Sequence, residues 1–274
     1  MGVDATDVYR VGTGMVGTQQ LTREAWTALE HSTAVYVQNP SDLVIEYFRD
    51  QLDGDVHSVE TLYREGEARI EIYDRIADTV VEAAAGSDAP IALAVYGHPS
   101  VGSSAGSLLA QKAAEREMTI ETIPGVSSLG TLLVDLGIDP LDGLQLHEAT
   151  NLLIHEYEID EHVPLLLYQV GVVETRLQTS KESDLERFER LRTHLEGYYG
   201  PDHEVVFARS ATQPFGEPNL RRVELGSIAS VADTVTTLDS LYVPPVGSKP
   251  PANESLLEAV TSEDHLNRIT DEGD

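Results

Sequence analysis

Ile91-Ala92-Leu93-Ala94-Val95-Tyr96-Gly97-His98-Pro99 is the stretch on which the fold turns. Its apolar run has no polar alternation, which suits a strand covered on both faces in the middle of a parallel sheet. The run ends in a Gly-His-Pro turn, and the carboxyl ends of central strands are where open α/β sheets bind ligands. The plainer alternative is a turn in which His98 only caps a backbone group. Gly102, Ser103, Ser104, Ala105 and Gly106 follow, small enough for a ligand to lie against the backbone.

Upstream, Val8 to Val11 reads as a strand entering the turn Gly12-Thr13-Gly14-Met15-Val16-Gly17, with Thr22 as the N-cap of a helix through Glu30. Ala34 to Val37 is a second strand, Pro40 to Gln51 a second helix, and Arg69 to Ala85 a longer helix stopped by Gly86. Downstream come a helix from Ser104 to Arg116, a strand from Thr119 to Ile123 and a helix after Pro124-Gly125. This alternation of strand and helix predicts a parallel sheet. The second half is richer in strands, at Leu144 to Glu148, Pro164 to Gln169, Val205 to Ala208, Leu220 to Leu225 and Ser240 to Val243, with one charged helix at Asp184 to Tyr198. The expectation is an α/β fold of two lobes. Residues 1–122 form a parallel, Rossmann-like N-terminal lobe, residues 123–249 a mixed-sheet C-terminal lobe, and residues 250–274 a flexible acidic tail.

Composition narrows the function. A formal charge of -29 repels phosphate backbones, so nucleic acid is not an expected partner. Acid spread along the whole chain, with Lys112, Lys181 and Lys249 its only lysines, resembles a surface adapted to high salt, where screening relieves self-repulsion. The absence of cysteine excludes thiolate nucleophiles, disulfides and Cys-zinc sites. The longest apolar stretch, Val163 to Val173, is too short for a bilayer, and no signal-peptide pattern opens the chain. A cytoplasmic protein with no membrane partner is expected. Met1-Gly2-Val3-Asp4-Ala5-Thr6 formally fits an acylation pattern, which Asp4 and Asp7 oppose at an anionic membrane.

The glycine turn has G-x-G-x-x-G spacing, but the second strand ends Tyr36-Val37-Gln38-Asn39-Pro40 with no carboxylate for a ribose diol, which weakens a nicotinamide reading. Histidines show no HExxH or helical ligand pair, so no metal is expected. Arg69 and Tyr73, four apart, share a helix face near Tyr63, and a buried cation beside phenols suits anion stabilisation. Arg and Tyr on an amphipathic helix also commonly just snorkel and pack.

Together the ordered segments resemble the tetrapyrrole-methylase superfamily, and within it the borosin-type peptide backbone N-methyltransferases. The resemblance rests on Val11-Gly12-Thr13-Gly14, Gln20-Leu21-Thr22-Arg23-Glu24-Ala25, Tyr96-Gly97-His98-Pro99, Ile123-Pro124-Gly125-Val126-Ser127-Ser128 and Asp135-Leu136-Gly137-Ile138-Asp139-Pro140. It continues through His147-Glu148-Ala149-Thr150, Tyr168-Gln169-Val170-Gly171, Pro201-Asp202-His203-Glu204-Val205 and Leu241-Tyr242-Val243-Pro244-Pro245. It implies a homodimer whose lobes hold S-adenosylmethionine without a metal. The cofactor set it implies is Gly97, His98, Pro99, Val101, Ser103, Ser127, Ser128, Gln169, Val170, Ala211 and Ser240. The catalytic set it implies is Tyr63, Arg69, Tyr73 and Tyr96, with Arg69 lowering a phenol, Tyr73 first, into the role of base.

The chain departs from that branch at Glu60, where a further Tyr is common, and at Gly102 and Ser103, where an aromatic is common. Corrin and porphyrin methylases usually carry Asp where His98 stands, which tilts the reading toward a peptide. A separate precursor peptide is expected, since the acidic tail has no apolar Val/Ile/Gly-rich segment. The alternatives are a corrinoid, tetrapyrrole or other small-molecule methylase, for which no basic patch is evident, and a non-catalytic S-adenosylmethionine sensor.

Overall fold

Apolar β4 (Ile91–Val95) is buried at every position and sits at the centre of a parallel five-stranded sheet in a computed structural model. The structure describes residues 6–39, 41–181 and 184–270. The expected helix start at Pro40 and most of the amino-terminal acylation pattern lie outside those residues.

The strands of this sheet are β1 (Val8–Gly12), β2 (Ala34–Gln38), β3 (Asp55–Ser58), β4 and β5 (Ile120–Ile123), in the order β3-β2-β4-β1-β5. The alternation of β4 divides its two faces. Ile91, Leu93 and Val95 join Ile72, Ile76, Val80 and Leu109 in one core, while Ala92 and Ala94 join Leu29, Val35, Ile45 and Phe48 in another. Helices α1 (Arg23–Glu30) and α2 (Asp42–Gln51) supply the second core, and α3 (Arg69–Ala85) and α4 (Ser104–Glu115) the first. Thr22 caps α1 by accepting from the Ala25 N–H at 3.0 Å. The chain leaves β1 toward β2 on one side and β4 toward β5 on the other, so the order reverses between β1 and β4. A crevice opens at such a reversal. The edge strand β3 is a strand the sequence reading lacks, because Asp-Val-His-Ser is too short and polar to show a period.

After β5, α5 (Ser128–Leu136) crosses to the second sheet, where Leu132 packs with Leu166, Val206, Ala208 and Tyr242. That sheet holds β6 (Gln145–Glu148), β7 (Leu165–Tyr168), β8 (Glu204–Arg209), β9 (Asn219–Glu224) and β10 (Ser240–Val243), in the order β6-β7-β10-β8-β9. Only β6 and β7 run parallel, so the sheet is mixed as expected. Its other face buries Phe188, Leu191, Leu195, Tyr199 and Phe207. The single charged helix expected at Asp184 to Tyr198 is instead a 3-10 turn, Leu185–Phe188, running into α7 (Glu189–Glu196). Asp184 caps the tight turn through the Glu186 N–H, and Phe188 meets Phe207 edge-on at 5.7 Å. The reading also lacks α6 (Ala149–His155). Beyond residue 250, α8 (Glu254–Ala259) and α9 (Glu263–Ile269) bury no residue. Among the described residues no helix is long and apolar enough to cross a membrane.

Candidate active site

The crevice between β1 and β4 is built from bare backbone. A Cβ on Gly125 would stand 2.5 Å from the Gly97 carbonyl oxygen, and one on Gly12 2.6 Å from the Gly125 nitrogen, so three loops meet where only glycine fits. Gly14 and Gly97, both at positive φ, exchange hydrogen bonds of 3.1 and 2.9 Å. Gln20 Oε1 accepts from the Met15 and Val16 N–H groups at 2.7 and 3.1 Å. Four N–H groups of the glycine turn are thereby spent, Thr13 on the Val95 carbonyl, Gly14 on the Gly97 carbonyl, and Met15 and Val16 on Gln20, so they are not free to hold a pyrophosphate. This weakens further the dinucleotide reading of its G-x-G-x-x-G spacing.

A cavity of about 190 Å³ lies against these loops. Of the residues expected to line it, Gly97, His98, Val101, Ser128, Gln169 and Ser240 do, joined by Tyr96 from the expected catalytic set. Pro99 and Val170 are buried off its wall, and Ala211 lies between two residues that line it, Ser210 and Thr212. Ser127 instead caps α5, accepting from the Leu129 N–H at 3.1 Å. Ser103 lies off the wall with its Oγ buried and without a hydrogen-bond partner. His98 Nδ1 accepts from the Ser100 N–H at 3.0 Å, so this side chain does cap its own turn while lining the cavity.

The sequence reading missed Arg209 and Asp239, which give the cavity both signs of charge. Asp239 Oδ2 accepts from the Thr236 N–H and hydroxyl at 2.7 Å each and lies 3.7 Å from Arg209. Their positions at the end of β8 and just before β10 are the signal that was available, since strand ends surround such crevices.

Two further cavities adjoin this one. One, of about 260 Å³, is lined by Glu60, Tyr63, Arg69, Tyr73 and Gln169; the other, of about 460 Å³, by Arg69, Tyr73, Gly102, Glu148, Asn151, Gln169 and Arg176 among others. Gln169 borders all three, at a left-handed φ of 58°. Arg69, at the first residue of α3, is reached from the second lobe: its guanidinium donates to the Thr175 carbonyl at 2.9 Å and the Leu177 carbonyl at 3.4 Å. Tyr63 Oη accepts from Gln38 Nε2 at 2.7 Å, and the Tyr63 and Tyr73 rings meet edge-on at 6.4 Å. Tyr96 stands apart, in the first cavity, donating to the Met15 carbonyl at 3.2 Å.

The tyrosines titrate in the direction opposite to the expectation. Burial pushes the Tyr73 hydroxyl up, and the nearby Arg69 charge only partly opposes it. Burial raises Tyr63 further and raises Tyr96 as well. All three are phenols that stay protonated near neutral pH.

Residues 7–229 match the family described as Tetrapyrrole (Corrin/Porphyrin) Methylases. A methyltransferase and ribosomally synthesized cyclic peptide dendrothelin A precursor of Dendrothele bispora is 29% identical over 87% of this chain and 58% of its own length. A methyltransferase and type I borosin cyclic peptide precursor of Coprinopsis marcescibilis is 27% identical over 95% of this chain and 68% of its own. The chain thus spans little more than half of the first of these relatives. Among solved structures, a uroporphyrin-III C-methyltransferase of Thermus thermophilus complexed with S-adenyl homocysteine has the same fold, with a TM-score of 0.57 and 17% identity over 86% of this chain and 91% of that one.

Proposed function

The chain belongs to the tetrapyrrole (corrin/porphyrin) methylase family, and we propose that it is an S-adenosylmethionine-dependent methyltransferase acting on backbone amides of a separate precursor peptide. One observation carries the reading: the glycine-built cavity and the cavity of the Tyr63, Arg69 and Tyr73 cluster are neighbours that share Gln169 and Thr237 in their walls. The chemistry of its lining supports the first cavity as the place of the cofactor. Arg209 and Asp239 match an amino-acid head group, hydroxyls of Ser128, Ser210 and Thr212 match a ribose, and Met15, Leu132 and Leu238 match a base. At the rim, a Cβ on Gly102 would project into open space, so one wall there is backbone alone. The S-adenyl homocysteine of one structural neighbour and the peptide-precursor names of the relatives support the same reading.

When bound, S-adenosylmethionine supplies an electrophilic methyl group. A peptide nitrogen is a poor nucleophile because its lone pair is shared with the carbonyl. Arg69, aimed by the Thr175 and Leu177 carbonyls, holds the amide oxygen and stabilises the imidate charge that develops there. Tyr63 and Tyr73, kept protonated by burial, orient the amide as hydrogen-bond donors, and Tyr96 steadies the Met15 wall. Among the described residues none beyond Ser240 lines these three cavities, which supports an acceptor other than that part of the tail. The proposal includes a homodimer in a salt-rich cytoplasm, supported by the -29 charge and by the family resemblance.

A second reading, methylation of a tetrapyrrole or other carboxylate-bearing small molecule, is favoured by one observation. Arg69 and Arg176 line the same cavity of about 460 Å³, a basic pair that linear sequence did not reveal. Mass spectrometry after incubation with S-adenosylmethionine separates the readings, using the chain alone, the chain with a synthetic Val/Ile/Gly-rich peptide, and the chain with uroporphyrinogen III. Backbone methyls on the peptide are expected. Methylation of the macrocycle alone would overturn the peptide reading, and methyls on this chain's own tail would overturn the separate acceptor.

A further inference from the structure

Methylating an amide nitrogen releases a proton, and the phenols around Arg69 are poorly placed in energy to take it. A phenol above its ordinary value of about 10 is ionised in fewer than about one molecule in a thousand at pH 7. Tyr63, Tyr73 and Tyr96 are all raised. Two carboxylates line the cavities shared by Arg69 and Tyr73. Glu148 is committed, since its Oε2 accepts from the Asn151 N–H at 2.7 Å as the cap of α6. Glu60 is different. It stands on a 3-10 turn, Glu60–Leu62, anchored through its backbone: its N–H donates to Ser58 Oγ at 3.3 Å and its carbonyl accepts from the Tyr63 N–H at 3.2 Å. Its carboxylate has no hydrogen-bond or ion-pair partner among the described residues, yet it lines the cavity with Tyr63, Arg69 and Tyr73.

We infer that Glu60 is the proton acceptor of this site. In the net step the substrate N–H bond breaks and its electron pair forms the new N–C bond. The donor's S–C bond breaks with its pair going to sulfur. The proton comes to rest on a Glu60 carboxylate oxygen, and the tyrosines keep theirs. The inference rests on the peptide-amide reading above.

The electrostatic surroundings support it. Although Glu60 is exposed at the cavity mouth, loss of water around its carboxyl, and then the Asp42 carboxylate at the start of α2, raise it above the ordinary glutamate value. A raised carboxylate is a stronger base. Its charge in turn helps raise Tyr63 and Tyr73, while the Arg69 cation acts on Tyr73 in the opposite sense.

The test compares wild type, Glu60→Gln and Glu60→Asp in the full chain. In ligand-free protein, infrared titration is expected to show a carboxyl protonating above the ordinary glutamate range and missing in Glu60→Gln. Ultraviolet titration is expected to show tyrosines ionising at lower pH in Glu60→Gln. With S-adenosylmethionine and the synthetic peptide, Glu60→Gln is expected to lose about a hundredfold in kcat and the rising limb of the pH profile. Glu60→Asp should recover part of both, with S-adenosylhomocysteine affinity unchanged throughout. A folded-state value above the unfolded one means stability is lost as pH rises through it, so Glu60→Gln should melt no lower than wild type at pH 7. Identical titrations in wild type and Glu60→Gln, or full kcat in Glu60→Gln, would overturn the inference. Normal titration differences with no peptide turnover in wild type would instead bring down the peptide reading and the inference with it.

Discussion

The two halves of the site are made of different material. Around Gly12, Gly97 and Gly125 the wall is backbone, packed so closely that no side chain fits between the loops. Around Arg69 the wall is side chains contributed by α3, the Glu60 turn and the loop after β7. A backbone wall is sensitive to added volume and indifferent to charge. A side-chain wall tolerates volume changes but depends on hydrogen-bond geometry and on the balance between burial and nearby charge.

The sharpest way to test this contrast is Arg69→Lys, which keeps the charge and loses the planar fork that two carbonyls now hold. Turnover on the peptide should fall by about two to three orders of magnitude, as for loss of a transition-state donor. Affinity for S-adenosylhomocysteine, measured by calorimetry, should change less than about threefold, because Arg69 does not line the glycine-built cavity. A parallel loss of cofactor affinity would erase the distinction between the halves.

The backbone half makes the opposite prediction. Gly125→Ala must push apart the Gly97 and Gly12 backbones, so it should cost about 2 kcal/mol or more in urea unfolding and abolish S-adenosylhomocysteine binding. Gly130→Ala in α5, where an added Cβ meets nothing within 4 Å, should be neutral or stabilise by about 0.5–1 kcal/mol. If both variants behave alike, the close approach of the three loops has no energetic meaning.

Salt addresses charge without touching either wall. At 0.01 M salt the Debye length is about 30 Å and at 1 M about 3 Å, so a chain of charge -29 should melt at a higher temperature in the stronger solution. A melting temperature that stays flat or falls over that range would remove the argument for a halophilic surface.

The smallest effect is expected at His98, where the sequence left a ligand contact and a turn cap open. The structure gives it the cap, through the Ser100 N–H, and a place on the cavity wall. His98→Ala should cost no more than about 1 kcal/mol, the ordinary worth of one such bond. His98→Asp, which can accept from the same N–H, should cost less. A large loss of S-adenosylhomocysteine affinity in both would make the wall contact of His98, and not its cap, the part that matters.

Most elements were legible because their signals are short-range. The apolar run of β4, the Thr22 cap of α1 and Gly86 after α3 each announce themselves within a few residues. Legibility failed where the local signal is weak or supplied from elsewhere: β3 is polar and its one strand partner is β2, and the 3-10 turn at Leu185–Phe188 shares an apolar period with a helix. Arg209 and Asp239 look in sequence like ordinary charged residues flanking strands, and only the approach of β8 to β10 makes them a pair in a cavity.

The sequence by itself determined most of the order of strands and helices, β3 and α6 excepted, the small-residue loop after β4 and the membership of Tyr63, Arg69 and Tyr73 in one cluster, since turn chemistry and helical spacing are local. Tertiary structure alone decided three things: that Gly12, Gly97 and Gly125 touch, that Arg69 is held by carbonyls some 106 residues further along the chain, and that the tyrosines beside it are raised instead of lowered. The last depends on how much water is excluded from each hydroxyl, a quantity set by atoms from distant segments and therefore absent from any local pattern.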